Sequence, residues 1–221
     1  YHPEVGQAAV RVLERLGYEI LVPETRCCGR PLISQGLLSA ARALAEANVD
    51  ILTPYAERGL LIVSTEPSCV SAMLDEWPQM VRTPAARRVA RQAVMIETFL
   101  AASLSQLVPQ GQSTRSLLYH GHCHQKTLTG TTDALAVLSA VAGGRVSEIN
   151  SGCCGMAGVF GHETEHFEVA RAIGEQRLFP AIRARGNADI VISGFSCREH
   201  IAQHTGVAAR HVVEYIADLL F

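Results

Sequence analysis

The sequence predicts an α/β fold built as two tandem pseudo-repeats, each with a parallel sheet flanked by helices and with cysteines at the carboxyl ends of the strands. Three observations predict it. Helical and strand-like apolar periodicities alternate along the chain. Cys-Cys-Gly occurs twice, in "TRCCGRPL" (25–32) and in "SGCCGMAG" (151–158). Each cysteine also follows a predicted strand, and ligand sites in an open parallel sheet gather beyond the carboxyl ends of the strands.

In "PEVGQAAVRVLERLG" (3–17), Val5, Ala8, Ala9, Val12, Leu13 and Leu16 fall on one helical face and Gly17 ends the helix. "YEILV" (18–22) reads as a short strand. A long helix runs from Gly36 through Leu37, Leu38, Ala41, Leu44, Ala45, Ile51 and Leu52, with Pro54 kinking or splitting it. "GLLIVST" (59–65) is continuously apolar, as buried parallel strands are. Helices are expected around 69–77 and 86–107, with the lone Trp77 in the core, and "PQGQST" (109–114) has linker composition. In the second half, 116–120, 144–150 and 188–193 read as strands. Residues 131–142 and 212–220 read as helices, and 161–185 as a helix with a break at Pro180. The domain division is 1–112 and 113–221.

The halves align on their cysteines. The two pairs, at 27 and 153, lie 126 residues apart, and Cys69 and Cys197 lie 128 apart. Two motifs kept at nearly one interval argue for duplication more strongly than either alone. The second repeat holds four cysteines, Cys123, Cys153, Cys154 and Cys197, the usual complement for an iron–sulfur cluster. The first holds Cys27, Cys28 and Cys69, an incomplete metal site. The same interval sets its counterpart of Cys123 at positions −3 to −5, so the chain is read as beginning inside its first repeat.

Composition excludes several classes. The 221 residues are 48% hydrophobic and 18% charged, with a net charge of −2, which supports a sizeable core and gives no reason to expect nucleic acid or an anionic membrane as partner. No apolar run approaches the ~20 residues that span a bilayer. Tyr1 is not an initiator methionine, and no signal-peptide pattern follows it. Seven cysteines, an odd number with two vicinal pairs, fit a reducing cytoplasm better than an extracellular disulfide framework.

Thiolates around a cluster concentrate negative charge that needs cations or N–H donors. Arg26, Arg30, Lys126 and Arg198 stand beside cysteines, and the turn at Gly155, Met156 and Ala157 offers backbone N–H groups. "YHGHCHQK" (119–126) adds His120, His122 and His124. His122 and His124 are weak candidates for a metal ligand such as zinc; the plainer expectation is that the three rings hydrogen-bond loop backbone.

"CCGRPL" and "GCCGMAGVFGHE" resemble the cysteine-rich CCG domain. That domain occurs in the cysteine-rich subunit of heterodisulfide reductase, in iron–sulfur subunits of glycolate oxidase and anaerobic glycerol-3-phosphate dehydrogenase, and at the ends of FAD-linked oxidases. "PEVG", "EPSCVSAMLDEWP", "HGHCHQKTL", "LFPAIR" and "GFSCREHI" narrow the resemblance to the C-terminal part of fused FAD-linked 2-hydroxy-acid oxidases. Where the heterodisulfide reductase type ends each repeat in Cys-x-x-Cys, this chain has Glu66 and Gly194, which argues against expanded, non-cubane clusters.

The resemblance implies an enzyme that oxidises glycolate, D-lactate or D-2-hydroxyglutarate at an FAD in an upstream domain. This chain, which shows no flavin-binding segment, would be the [4Fe–4S] electron relay. Its implied partners are the FAD-binding domain or subunit and a downstream electron acceptor, with peripheral membrane association through partners. Two other readings stay open: a zinc or metal-free structural and docking domain, and a dithiol–disulfide redox centre.

Overall fold

The computed structural model describes residues 2–107, 115–143 and 145–221, so the expected linker at 109–114 lies outside the described residues. The first half runs α1 (Pro3–Arg15), α2 (Arg30–Ser34), α3 (Leu38–Glu57), β1 (Ile62–Ser64) and α4 (Pro67–Ser71). A π-helical turn (Ala72–Glu76) joins α4 to α5 (Trp77–Val81), followed by α6 (Pro84–Gln92), β2 (Ala93–Met95) and α7 (Ile96–Ala101). The second half runs β3 (Leu117–His120), α8 (Cys123–Leu128), α9 (Thr132–Ala142), β4 (Val146–Glu148), α10 (Phe167–Gln176) and α11 (Leu178–Arg183). It ends in β5 (Asp189–Ile192), α12 (Phe195–Thr205), β6 (Arg210–His211) and α13 (Val212–Leu220).

Among the described residues all pairings are parallel, in a two-stranded sheet β1-β2 and a four-stranded sheet in the order β4-β3-β5-β6. Parallel neighbours need a crossover, and helices supply it. The α/β class and the helix-flanked parallel sheets are therefore as the sequence predicts.

Several elements differ from expectation. Residues 18–22 are not a strand. Their second-half equivalent, β4, pairs only with β3, and no described first-half segment stands where β3 would; without a ladder partner an apolar run stays irregular. The expected helix 86–107 is interrupted by β2, whose Ala93, Val94 and Met95 pair with Ile62, Val63 and Ser64. A short apolar run has no strong period of its own, so sheet pairing decides its state. α3 is not split: Pro54 sits in its last turn and the helix closes at Glu57. The break expected at Pro180 falls at Arg177 instead (φ −148°, ψ −43°), which leaves Pro180 in the first turn of α11, where its missing N–H costs no hydrogen bond. The start of the expected 161–185 helix is two 3₁₀ turns, Phe160–His162 and Thr164–His166.

Three apolar clusters hold these elements. One joins α1, α7, α9 and α13 to β3 and β5 through residues such as Val5, Val12, Leu100, Leu117, Val137, Val191 and Ile216, so α1 packs with second-half elements. A second lies under α3, α5 and α6, with Val49, Trp77 and Val89. The third includes Cys154 and Cys197 with Met156, Phe179, Ile190 and Ile201, and so seats part of the thiol site on a packed base.

Candidate metal centre

The second-half cysteines come from three loops at one sheet edge. Cys123 is the first residue of α8, and the helix is capped by His122, whose Nδ1 accepts the His124 N–H at 3.1 Å. Cys153 and Cys154 lie in the loop after β4, and Cys197 is in the first turn of α12 after β5. Their thiols lie near enough to shift one another's ionisation in sequence, Cys123 with Cys153, Cys153 with Cys154, and Cys154 with Cys197. Cys154 and Cys197 are buried, whereas Cys123 and Cys153 are half-buried.

Along that series the charge preference alternates. The Cys123 and Cys154 thiols hold Cys153 well below the usual thiol range, against the cost of its burial, and the Gly155 and Ala157 N–H groups add to this. The Gly155 N–H donates to Cys153 Sγ at 3.3 Å. Cys197 is pushed down first by the Cys154 thiol, with the His122 and His120 imidazoles contributing after burial is set against them. Cys123 and Cys154 are correspondingly pushed up by their Cys153 neighbour. The site thus favours thiolate at two of its four sulfurs, which are the form that binds metal.

Both Cys-Cys-Gly glycines have a backbone reason. Gly155 has φ +112°, and a Cβ there would lie 2.2 Å from the Ala170 carbonyl oxygen. Gly29 has φ +85°, with a Cβ position 3.3 Å from the Ala41 carbonyl oxygen. The loop past Gly155 keeps a further left-handed residue, Ala157 at φ +41°, next to the sulfur its N–H stabilises.

In the first half, Cys28 and Cys69 have their sulfurs 3.2 Å apart, and Cys27 is exposed. The Cys69 thiol lowers Cys28 to about 7, whereas Cys69 itself is pushed up by that same contact and by burial. Trp77 is in the core as expected, and its Nε1–H also donates to the Cys28 carbonyl at 2.9 Å, tying the pair's backbone down. The positions of the two absent cysteines are both occupied. Glu66 accepts the Ser68 N–H at 3.0 Å and the Phe195 N–H at 2.8 Å. A Cβ on Gly194 would stand 2.3 Å from His122 Cδ2, so the imidazole fills that side.

The other expected residues are placed differently. His120 Nδ1 bonds Ser151 Oγ at 2.9 Å, His122 Nε2 bonds Ser68 Oγ at 3.5 Å, and His124 Nε2 meets Arg30 Nη2 at 3.4 Å. Among the described residues only the His122 ring also bonds backbone, so the expectation that all three rings bond loop backbone is corrected. Burial lowers His124 to about 4, with the His122 ring and the Arg30 charge adding to it. Arg30 pairs with Glu76, Lys126 with Glu148 and Arg198 with Glu214. Those cations are committed to carboxylates, and what reaches Cys153 is the Gly155 backbone N–H.

Three participants were missed by sequence reasoning. His200, 1% exposed, donates from Nδ1 to the Cys154 carbonyl at 2.9 Å. Glu97, fully buried, accepts from Ser193 Oγ, which also meets the Tyr119 hydroxyl at 2.8 Å; that hydroxyl donates to Gln125 Oε1 at 2.7 Å. The lone acid in "AVMIETFL" was the signal for it. His211, also buried, sets its Nε2–H between the Thr65 and Ser193 carbonyls.

Among the described residues no three His, Cys, Asp or Glu side chains are grouped as for a single metal ion. The donor set is instead four neighbouring thiols, with backbone N–H donors on one of them, and the buried His120 Nε2 has no hydrogen-bond partner. That chemistry fits an iron–sulfur cluster, whose usual ligands are four cysteines.

The chain is similar to subunits and domains of several dehydrogenases and oxidases. The chain is 28% identical over 225 residues to a subunit of the anaerobic glycerol-3-phosphate dehydrogenase of Escherichia coli K12, an alignment that takes in 99% of this chain and 56% of that protein. It is 26% identical over 230 residues to the glycolate oxidase iron-sulfur subunit of the same organism, covering 99% of this chain and 54% of that one. It is 26% identical over 221 residues to E. coli D-2-hydroxyglutarate dehydrogenase, covering all of this chain and 21% of the relative. The chain therefore spans about half the length of the first two and about a fifth of the third. The model of the cysteine-rich domain family CCG matches residues 2–74 and 117–202, one segment in each half. With both Cys-Cys-Gly loops inside the matched segments, the chain belongs to the CCG cysteine-rich domain family.

Proposed function

We propose that this chain is the iron–sulfur electron-transfer module of an FAD-linked oxidoreductase that oxidises a 2-hydroxy acid of the glycolate, D-lactate or D-2-hydroxyglutarate type. The observation that carries the proposal is the meeting of Cys123, Cys153, Cys154 and Cys197 from three loops, with two of the four held toward thiolate. These four would hold a [4Fe–4S] cluster. When bound, the cluster supplies a store for single electrons passing between flavin and acceptor.

The protein's own residues do the rest. The Gly155 and Ala157 N–H groups stabilise charge on Cys153. The packed base around Cys154 and Cys197 keeps water from those sulfurs. The relatives named above support the flavin-linked context by what their names say: a dehydrogenase subunit, an oxidase iron-sulfur subunit and a 2-hydroxy-acid dehydrogenase. The partners are then an FAD-binding domain or subunit of the same enzyme and a downstream electron acceptor, with any membrane association made through those partners. No helix among the described residues is long and apolar enough to cross a membrane. Free thiols suit a cytoplasmic location. The two repeats, 1–112 and 113–221, divide the work, with the complete thiol set in the second.

The alternative dithiol–disulfide reading draws its support from the 3.2 Å contact between Cys28 and Cys69. Iron, zinc and acid-labile sulfide per chain, measured after anaerobic purification and reconstitution, separate the readings. Roughly four iron and four sulfide are expected, lost on replacing any of Cys123, Cys153, Cys154 or Cys197 by alanine and retained in Cys69→Ala. A cluster intact after Cys154→Ala refutes the ligand set, and stoichiometric zinc without sulfide refutes the relay.

A further inference from the structure

The helix that carries Cys197 cannot cap itself. α12 starts after Gly194, which has no side chain, and the His122 ring leaves no room for one, since a Cβ would lie 2.3 Å from Cδ2. The first N–H groups of a helix have no partner inside the helix and need one from elsewhere. For α12 that partner comes from the other repeat: Glu66 Oε2 accepts the Phe195 N–H at 2.8 Å, 129 residues away in sequence. The same carboxylate accepts the Ser68 N–H at 3.0 Å through Oε1, as the N-cap of α4.

Two helices in equivalent places, each with its cysteine in the first turn, therefore begin on one carboxylate. Neighbouring contacts also tie the same β5–α12 loop to the first half, one directly and one through a second-half ring. Glu97 accepts from the Ser193 hydroxyl, and the His211 Nε2–H lies between the carbonyls of Thr65 and Ser193. Ser68 Oγ also reaches His122 Nε2 at 3.5 Å, the ring that excludes a side chain at 194.

We propose that Glu66 is a positioning residue for the second-repeat thiol site: a strut from the first repeat that sets Cys197 against Cys154 by capping α12. This deepens the relay reading above and rests on it. It gives the first repeat, which lacks the full thiol set among these residues, a part in building the site of the second. It also accounts for the acid at position 66 and the glycine at 194 together, since one supplies the cap that the other cannot.

The test exploits reach. Aspartate is an equally good N-cap for α4 but is one methylene shorter, so Glu66→Asp keeps the Ser68 N–H and loses the Phe195 N–H, whereas Glu66→Ala loses both. Amide hydrogen exchange on the metal-free chain reads the strut directly. In Glu66→Asp the Phe195 amide should exchange about 10- to 100-fold faster, as expected for loss of a charge-assisted hydrogen bond, with Ser68 unchanged. In Glu66→Ala both should accelerate.

After anaerobic reconstitution, the reduced Glu66→Asp protein should keep wild-type iron content while its electron paramagnetic resonance spectrum shifts or broadens. Unchanged exchange at Phe195 in both variants overturns the strut. Faster exchange with an unaltered spectrum reduces Glu66 to a structural cap and overturns the positioning role. A wild-type chain that takes up no iron refutes the relay reading and the positioning role with it, while the exchange data still report whether the cap exists.

Discussion

Glu97 is a carboxyl with no exposed surface, and replacing it by glutamine should change how stability depends on pH. Burial, opposed by the Ser193 hydroxyl and the backbone at the start of α7 and reinforced by the Glu66 and Asp133 carboxylates, raises it from 4.5 to about 7. Its Oε1 accepts from Ser193, and its Oε2 is buried without a hydrogen-bond partner. Below pH 4.5 the side chain is protonated whether the chain is folded or unfolded, and it costs nothing. Between pH 4.5 and about 7 the unfolded chain releases the proton while the folded chain keeps it, so stability falls as pH rises; above about 7 the loss is complete. At ~1.4 kcal/mol per pH unit, that interval amounts to roughly 3 kcal/mol.

Glutamine keeps the shape and the acceptor for Ser193 but cannot ionise. Glu97→Gln should therefore be more stable than wild type at pH 8 by up to ~3 kcal/mol and nearly equal to it at pH 4.5. Urea unfolding of the metal-free chain under reductant at both pH values measures this, and every other titrating group cancels in the difference between variants. A Glu97→Gln effect that is the same at the two pH values would mean that the buried acid titrates normally, and the reasoning fails.

Two further substitutions probe the thiol loops. Gly155→Ala places a Cβ 2.2 Å from the Ala170 backbone oxygen at a φ of +112°, and should destabilise by on the order of 3 kcal/mol or more and reduce iron uptake. Gly29→Ala, with its Cβ at 3.3 Å, should cost only about 1–2 kcal/mol, and equal effects at the two sites would contradict the backbone argument. Trp77→Phe removes the donor to the Cys28 carbonyl and should cost about 1–3 kcal/mol. Alkylation of Cys28 in that variant should quicken, and an unchanged rate would show that the indole does not restrain the pair.

Short-range information was readable directly from the chain. The apolar face of α1 appears as predicted, with Val5, Ala8, Ala9, Val12 and Leu13 buried, because a helix's period is set by its own backbone. The Cys-Cys-Gly glycines and the near-constant interval between cysteines pointed to the duplication and to a thiol cluster at strand ends for the same reason. Each depends on a few neighbouring residues or on spacing alone. Element identity became unreadable where pairing with a distant segment decided it. Ala93–Met95 became a strand because Ile62–Ser64 lies beside it, and 18–22 did not because no described segment offers it a ladder.

The site divides along the same line. That these cysteines would gather was implied by their places after strands. Which thiols perturb which, and which two are held toward thiolate, depends on the Gly155 N–H, the rings of His120 and His122, and burial, and these act only once the chain is folded. Arg198 looked like a counter-charge in sequence and is bound to Glu214 in space. Glu66 looked like a lost cysteine, and the fold makes it the cap of a helix 129 residues away. A sequence records which groups are available to bond. Pairs separated by more than a hundred residues are chosen by packing, because only the close-packed interior sets their distance and removes the water that would otherwise compete for them.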